Sequence, residues 1–112
     1  MAPLSPGDWR HAGNQALFGD DFAVRCEGGR IALARMGSGS GQRLTIRTTY
    51  GERTLPAANG GGGIVATLAA SDPLLDQLAF SRGRFLVQAD GQPALILPAW
   101  PEPARVIEDC RG

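Results

Sequence analysis

The chain has 112 residues, and its eleven arginines balance eleven acidic residues, so its formal net charge is zero. This length fits one domain with a real core and leaves no room for a second. A neutral chain has no basic excess to hold a phosphate backbone, which disfavours nucleic acid as a partner. No run approaches the roughly 20 apolar residues of a membrane span, so no transmembrane segment is expected.

The start of the chain differs in character from the rest. Residues 1–7 carry two prolines and a glycine before any periodic pattern, which predicts a flexible N-terminal arm ahead of a single β-rich domain over residues 8–112. The arm lacks the basic and apolar regions of a signal peptide. The chain is then either a cytosolic protein with two free thiols or a mature exported domain whose signal peptide was removed. In an exported protein, a lipid anchor or processing site would attach at this arm. The even cysteine count in a small, glycine-rich chain favours export.

Short strands with turn signals between them dominate the first two thirds of the chain. They are predicted at residues 9–12, 15–18, 22–27, 30–35, 43–50, 53–57 and 64–69. In the third strand Phe22, Val24 and Cys26 share one face, so Cys26 is expected to point inward. Pro56 indicates an edge position or a strand end. The glycine-rich stretches 37–41 and 59–63 predict mobile loops.

A helix is predicted near residues 72–81. Ser71 or Asp72 would cap it, Pro73 would occupy its first position, and Gly83 would stop it. Its apolar stripe consists of Leu74, Leu75, Leu78 and Ala79. The stripe predicts one buried face.

A hairpin is predicted to follow, with strands 84–89 and 92–97 paired across Asp90-Gly91, a type I′ turn signal. That register places Phe85 opposite Ile96 and Leu86 opposite Leu95. Because both faces are apolar, we expect the hairpin to be covered on both sides.

The last helix is predicted near residues 103–110, because the preceding prolines disfavour an earlier start. Pro103, Val106, Ile107 and Cys110 fall on one helical face, so Cys110 is also expected to point inward. Two inward cysteines are placed as a disulfide would require. Together the patterns predict an α+β fold, mainly an antiparallel β sandwich or barrel of about eight or nine short strands with two short helices.

No motif in the chain indicates catalysis, a metal or a cofactor. His11 is the only histidine, and with two cysteines it lacks zinc-site spacing. Residues 37–41, Gly-Ser-Gly-Ser-Gly, match the letters of a nucleophile elbow without its strand-to-helix context, and a phosphate-binding loop would need a lysine that the chain lacks. The acid pairs Asp20-Asp21, Asp72 with Asp76, and Glu108-Asp109 fit turns, a helix start and a solvated face. We therefore expect a protein that is not an enzyme.

Two arginines form the first candidate binding feature. Arg82 and Arg84 flank Gly83 at a helix end, as a clamp for an anion or a carboxylate would. The alternative interpretation is structural: compensation of the helix dipole and pairing with acidic residues, namely Asp72, Asp76 or Glu102.

Two tryptophans form the second candidate feature. Trp9 and Trp100, one near each end of the chain, could flank an interaction surface. The alternative is core packing with the indole N–H bonded to a carbonyl.

Four segments carry a resemblance to a known group of proteins. They are Asp72-Pro73-Leu74-Leu75-Asp76, residues 79–85, residues 97–102 and residues 105–111. They resemble uncharacterised small exported proteins of alphaproteobacteria, many of them predicted lipoproteins, and the likeness covers most of the chain, including Arg25-Cys26. It implies a periplasmic or envelope location and a Cys26–Cys110 bridge, and it implies no activity. The order of helix, glycine-ended turn and hairpin is also distantly similar to the invasion-associated locus B family, whose additional cysteines this chain lacks.

The expected function is that of a non-catalytic, exported envelope domain with a structural or interaction role, whose partner would be an envelope protein. One alternative is a small secreted enzyme inhibitor that presents loop 37–41 or 58–63. Another is a small-ligand carrier whose apolar pocket is lined by Phe22, Leu44, Ile46 and Phe85.

Overall fold

A computed structural model describes residues 4–37, 41–60 and 62–112 as ten strands and two helices. The strands are β1 (Trp9–Ala12), β2 (Gln15–Phe18), β3 (Phe22–Glu27), β4 (Arg30–Met36), β5 (Arg43–Thr48), β6 (Gly51–Pro56), β7 (Ala58–Gly60), β8 (Gly63–Ala69), β9 (Arg84–Ala89) and β10 (Leu95–Pro98). The helices are α1 (Pro73–Ala79) and α2 (Pro101–Arg111). The predicted α+β class is confirmed.

The strands form two antiparallel sheets that face each other as a sandwich. The six-stranded sheet has the order β1-β2-β3-β4-β8-β7, and the four-stranded sheet has the order β10-β9-β5-β6. Each sheet ends in two edge strands, so in the described part of the chain the sheets do not close into a barrel. The sandwich alternative is confirmed and the barrel alternative is wrong. Pro56 ends β6, an edge strand, as predicted.

One strand was not predicted. Ala58–Gly60 pairs with β8 as the edge strand β7, where the sequence indicated a mobile loop. Glycine weakens a strand, but it can still join a ladder when the neighbouring strand supplies the partners. Three parts of the predicted arm and loops lie outside the described residues, namely residues 1–3, 38–40 and 61.

The β9–β10 hairpin forms with a register one residue away from the predicted one. Leu95 pairs with Val87, and Leu86 pairs with Ile96. A type I′ turn needs a positive φ at both central residues, but among the described residues only glycines have positive φ, so Asp90 does not adopt it. The connection between the two strands spans residues 90–94, and β10 begins at Leu95 instead of at the predicted residue 92.

The corrected register decides which face of the hairpin is buried. Phe85, Val87, Leu95 and Leu97 face the core, and Leu86 and Ile96 face outward and are half-buried. The expectation that both faces are covered is wrong, because Leu86 and Ile96 stay partly accessible among the residues that the structure describes. An apolar strip remains on the outside of the four-stranded sheet.

Both helices begin with the proline signals that the sequence shows. Asp72 is the cap of α1, and its carboxylate accepts a hydrogen bond from the Leu74 N–H at 2.9 Å. Helix α2 begins at Pro101, two residues earlier than predicted. Prolines fit there because the first N–H groups of a helix have no acceptor within it, so their loss costs no intrahelical hydrogen bond.

The core between the sheets contains most of the aromatic residues. The Trp9 ring packs against Phe18, Phe22 and Phe85 with ring centroids 5.4 to 6.3 Å apart, and the Trp9 indole donates to the Pro98 carbonyl at 2.8 Å. The four residues expected to line a carrier cavity, Phe22, Leu44, Ile46 and Phe85, are at most 2% exposed and belong to this one packed cluster.

The predicted disulfide is present. Cys26 at the end of β3 is bonded to Cys110 on α2, with Cα atoms 5.5 Å apart. Both residues are half-buried at the margin of the core rather than fully inward. The bridge therefore holds the C-terminal helix against the six-stranded sheet.

An ion pair connects the start of α1 to β6. The Arg53 guanidinium donates to both carboxylate oxygens of Asp72, at 2.6 and 3.0 Å. Arg53 holds the pKa of the Asp72 carboxyl below its ordinary value; partial burial opposes this shift, and the Leu74 N–H supports it. Asp72 thus acts both as a helix cap and as a cross-link between two elements.

Replacing Asp72 separates these two roles. Asp72→Ala removes the cap and the ion pair and is expected to lower the free energy of unfolding by about 1 to 2 kcal/mol. Asp72→Asn keeps a capping oxygen and is expected to cost less. Because the folded-state pKa of Asp72 is depressed, its contribution is fully present above the unfolded pKa of about 3.9 and is lost as the pH falls through the folded value. Urea unfolding at several pH values checks this, and an Asp72→Asn variant that keeps the wild-type pH dependence would contradict it.

Candidate functional site

Two turns that are distant in sequence meet at one end of the sandwich. One connects β5 to β6 through Thr49 and Tyr50, and the other connects α1 to β9 through residues 80–83. The Thr49 N–H donates to the Ser81 hydroxyl oxygen at 3.1 Å, and the Arg82 N–H donates to the Thr49 hydroxyl oxygen at 3.1 Å. Ser81 is itself buried. These reciprocal bonds fix the two turns against each other.

The turns expose two aromatic side chains in the same place. Tyr50 is 55% exposed and Phe80 is 63% exposed, and both line a pocket of about 270 Å³ together with Asp76 and Gln77. Phe80 is exposed because it lies off the buried stripe of α1, at the residue that caps the helix end. The sequence analysis missed both aromatic residues, although the offset of Phe80 from the stripe was a usable signal.

A groove lies next to this aromatic pocket, on the outer face of the four-stranded sheet. Its volume is about 280 Å³, and it is lined by Arg47, Thr48, Thr49, Arg84, Phe85, Leu86 and Ile96. Arg47 on β5 pairs with Leu86 on β9, which pairs with Ile96 on β10, so these three residues form one row across the sheet. Arg84 lies two residues before Leu86 and shares its face.

The groove and the aromatic pocket are neighbours, since consecutive residues of one turn, Thr49 and Tyr50, line one each. We call the whole area the aromatic–arginine surface. It comprises Arg47, Thr49, Tyr50, Phe80, Arg82, Arg84, Leu86 and Ile96.

The charges of this surface are predominantly positive. Among the described residues, no acidic side chain lines the groove. Arg47 contacts Glu52 at 2.6 Å in a pair whose two side chains are both well exposed. Asp76 in the aromatic pocket is paired with Arg111, with 2.8 Å between the guanidinium nitrogen and the carboxylate oxygen. Arg82 is exposed and Arg84 is half-buried.

The structure brings the two candidate arginines, Arg82 and Arg84, to this surface together with Arg47, which the sequence analysis did not single out. Of the three acids weighed as structural partners, Asp72, Asp76 and Glu102, the first two are bound by Arg53 and Arg111. No ligand contact is needed to explain those two acids.

The two tryptophans differ in burial. Trp9 is only 5% exposed and belongs to the core, so the hypothesis that it flanks a surface is wrong for this residue; its buried ring and its bond to Pro98 match the alternative interpretation. Trp100 is 40% exposed and precedes the first turn of α2, where it lines neither the groove nor the aromatic pocket.

No group of three or more His, Cys, Asp or Glu side chains in residues 4–37, 41–60 and 62–112 is placed to hold a metal ion. In the same ranges, no helix has the length and apolar character needed to cross a membrane. Comparisons with protein-family models, with curated proteins and with solved structures found no match. The function is therefore inferred from the surface itself.

Proposed function

We propose that this chain is a non-catalytic, exported envelope domain that binds another envelope protein through the aromatic–arginine surface. One observation carries the proposal: Tyr50 and Phe80 are both more than half exposed in one pocket, beside a groove flanked by arginines. Aromatic side chains and arginine are the residues most enriched at protein interfaces and at their energetic hot spots. A solvent-exposed phenylalanine in a fixed turn has no role in the core.

The rigidity of the surface supports the same conclusion. The bonds between Thr49, Ser81 and Arg82 hold the two turns in one arrangement before any partner arrives. Binding then orders fewer side chains and costs less conformational entropy.

The proposal of export depends on separate grounds. A disulfide persists in oxidising compartments and is rare in the cytosol, and this domain has one that connects residues 84 positions apart. The resemblance to small exported proteins of alphaproteobacteria points to the same compartment. We therefore expect the partner to be a periplasmic or envelope protein.

Site-specific crosslinking in cells tests the interaction. The protein would be expressed with a secretion signal and with a photoreactive phenylalanine analogue in place of Phe80 or, in a second variant, of Tyr50. We expect a discrete crosslinked species from both positions. The matched control carries the same analogue in place of Trp100, which is exposed but outside the surface, and should give none. Equal crosslinking at all three positions, or none at Phe80 and Tyr50, would overturn the proposed surface.

Thiol alkylation followed by intact mass measurement tests, in the same samples, whether the bridge forms in an oxidising compartment. In protein recovered from the envelope fraction, Cys26 and Cys110 should resist alkylation until a reductant is added. Free alkylation of both thiols in folded protein would contradict the assignment to an oxidising compartment.

A further inference from the structure

The groove differs from the aromatic pocket in its chemistry. Its floor is formed by the half-buried side chains of Leu86 and Ile96, and arginines flank it, with Arg47 on one strand and Arg84 on the next. It offers an apolar surface next to positive charge, with no acidic residue in its lining. An aliphatic side chain with carboxylates beside it complements such a groove in both respects.

The edge of β10 restricts how a partner can bind there. The Ser5 N–H donates to the Ile96 carbonyl at 2.8 Å, and the Ile96 N–H donates to the Ser5 hydroxyl oxygen at 3.0 Å. Both backbone groups of Ile96 are therefore occupied by the chain itself. A partner cannot add a strand to this edge at Ile96 while Ser5 is in place, so it must bind through side chains laid on the groove.

Arg47 can exchange its present contact for a partner's carboxylate. The Arg47–Glu52 pair is exposed, with 63% and 46% of the two side chains accessible, and exposed ion pairs of this kind contribute little to stability. A guanidinium also binds carboxylates in a two-pronged geometry. Replacing Glu52 by an incoming carboxylate on Arg47 is therefore a low-cost step.

We propose that the groove receives an acidic, aliphatic segment of the partner protein: an apolar side chain rests on Leu86 and Ile96, and flanking carboxylates bind Arg47 and Arg84. The inference rests on the proposed function, since it specifies the partner's chemistry at the same surface. It predicts recognition by side chains and charge, with no backbone pairing at β10.

Nuclear magnetic resonance with matched peptides tests this directly. The probes are acetyl-Asp-Leu-Asp-amide and its neutral analogue acetyl-Asn-Leu-Asn-amide, titrated into the ¹⁵N-labelled, disulfide-bonded protein at low ionic strength. The acidic probe is expected to shift the amide signals of Arg47, Leu86 and Ile96, and to bind about tenfold more tightly than the neutral one. Added salt should weaken only the acidic probe.

Substitutions of the arginines test whether they are responsible for binding the acidic probe. Arg47→Gln combined with Arg84→Gln should reduce binding of the acidic probe about tenfold. Arg10→Gln is the control, because Arg10 is exposed on β1 in the other sheet and lines neither the groove nor the aromatic pocket, and it should leave binding unchanged. Folding of each variant is checked from the dispersion of its spectrum.

The outcomes separate this inference from the proposed function. Equal binding of the two probes, or unchanged binding in the Arg47→Gln/Arg84→Gln variant, overturns the acidic segment. If crosslinking through Phe80 also persists undiminished in that variant, the interaction surface stands and only the partner's chemistry is wrong. Absence of Phe80 crosslinking in the wild type overturns the proposed function, whatever the peptides do.

Discussion

Replacing Cys26 and Cys110 together by alanine is expected to lower the free energy of unfolding by about 4 to 5 kcal/mol. The bridge connects residues 84 positions apart, and in the chain-entropy model the unfolded chain with such a closed loop loses an amount of conformational freedom equivalent to about 4.5 kcal/mol. Small domains are stable by only about 5 to 15 kcal/mol in total. The bridge therefore accounts for a large share of the stability of this domain.

The position of the bridge explains why other contacts do not replace it. Helix α2 is the last element of the chain, and it packs on the six-stranded sheet through Pro103, Val106 and Ile107. Its polar connections to the rest of the domain include Arg111, which donates to the Ala70 carbonyl at 2.7 Å and pairs with Asp76. Without the disulfide, these contacts must hold the helix on the sheet.

Urea unfolding with and without reductant measures the effect. Reductant should lower the stability of the wild-type protein to that of the Cys26→Ala/Cys110→Ala variant and should leave the variant itself unchanged. Because the variant has no disulfide, it controls for any effect of the reductant on stability other than reduction of the bridge. A variant as stable as the oxidised wild type would show that the bridge is dispensable for folding.

Much of the fold follows from patterns that are local in the sequence. The alternation of Phe22, Val24 and Cys26 predicts β3 and the side of the sheet on which the disulfide lies. Asp72-Pro73 predicts the start of α1 at the observed residue. Such signals work because strand alternation, caps and glycine turns each involve only a few consecutive residues.

The errors occur where distant residues decide the local geometry. Asp90 and Gly91 have the letters of a type I′ turn, but the Asp90 carboxylate accepts hydrogen bonds from the Gln42 N–H at 3.4 Å and from Arg43 Nε at 3.3 Å. Those contacts come from the start of β5 and the residue before it, more than forty residues away, and they hold the connection in another conformation. The observed hairpin register therefore differs by one residue from the predicted one. As a result, Leu86 and Ile96 lie opposite each other on one face.

The candidate surface also depends on contacts between residues that are distant in the sequence, which local patterns do not reveal. The sequence drew attention to Arg82 and Arg84 because they flank a glycine, which is a local feature. Their proximity to Tyr50 depends on the bonds between Thr49 and Ser81, which are 32 residues apart. The sequence left Trp9 between a surface role and core packing, because an aromatic residue in a short strand gives the same signal whether its ring lies in the core or at a surface.

Phe22→Ala is expected to lower the free energy of unfolding by about 3 to 5 kcal/mol, which makes it the largest effect expected from a single substitution considered for this chain. Phe22 is fully buried, and its ring packs edge-on against Trp9 from its own sheet and Phe85 from the opposite one, with centroids 6.3 and 6.4 Å away. Alanine would remove the contact between Phe22 and Phe85, one of those that join the two sheets, and leave a cavity between them. Phe22→Leu retains most of the volume and should cost less, about 1.5 kcal/mol.

Phe80 supplies the control, because the same Phe→Ala change at a side chain that is 63% exposed should alter stability by no more than about 0.5 kcal/mol. Chemical denaturation of the three variants and the wild type, all with the disulfide intact, gives the comparison. A large loss at Phe80 would mean that this ring supports the fold, which would remove the reason to treat it as a binding residue. A small loss at Phe22 would mean that the two sheets do not share one packed core. The pair of substitutions thus tests both halves of the same assignment: which aromatic side chains hold the domain together, and which remain for a partner.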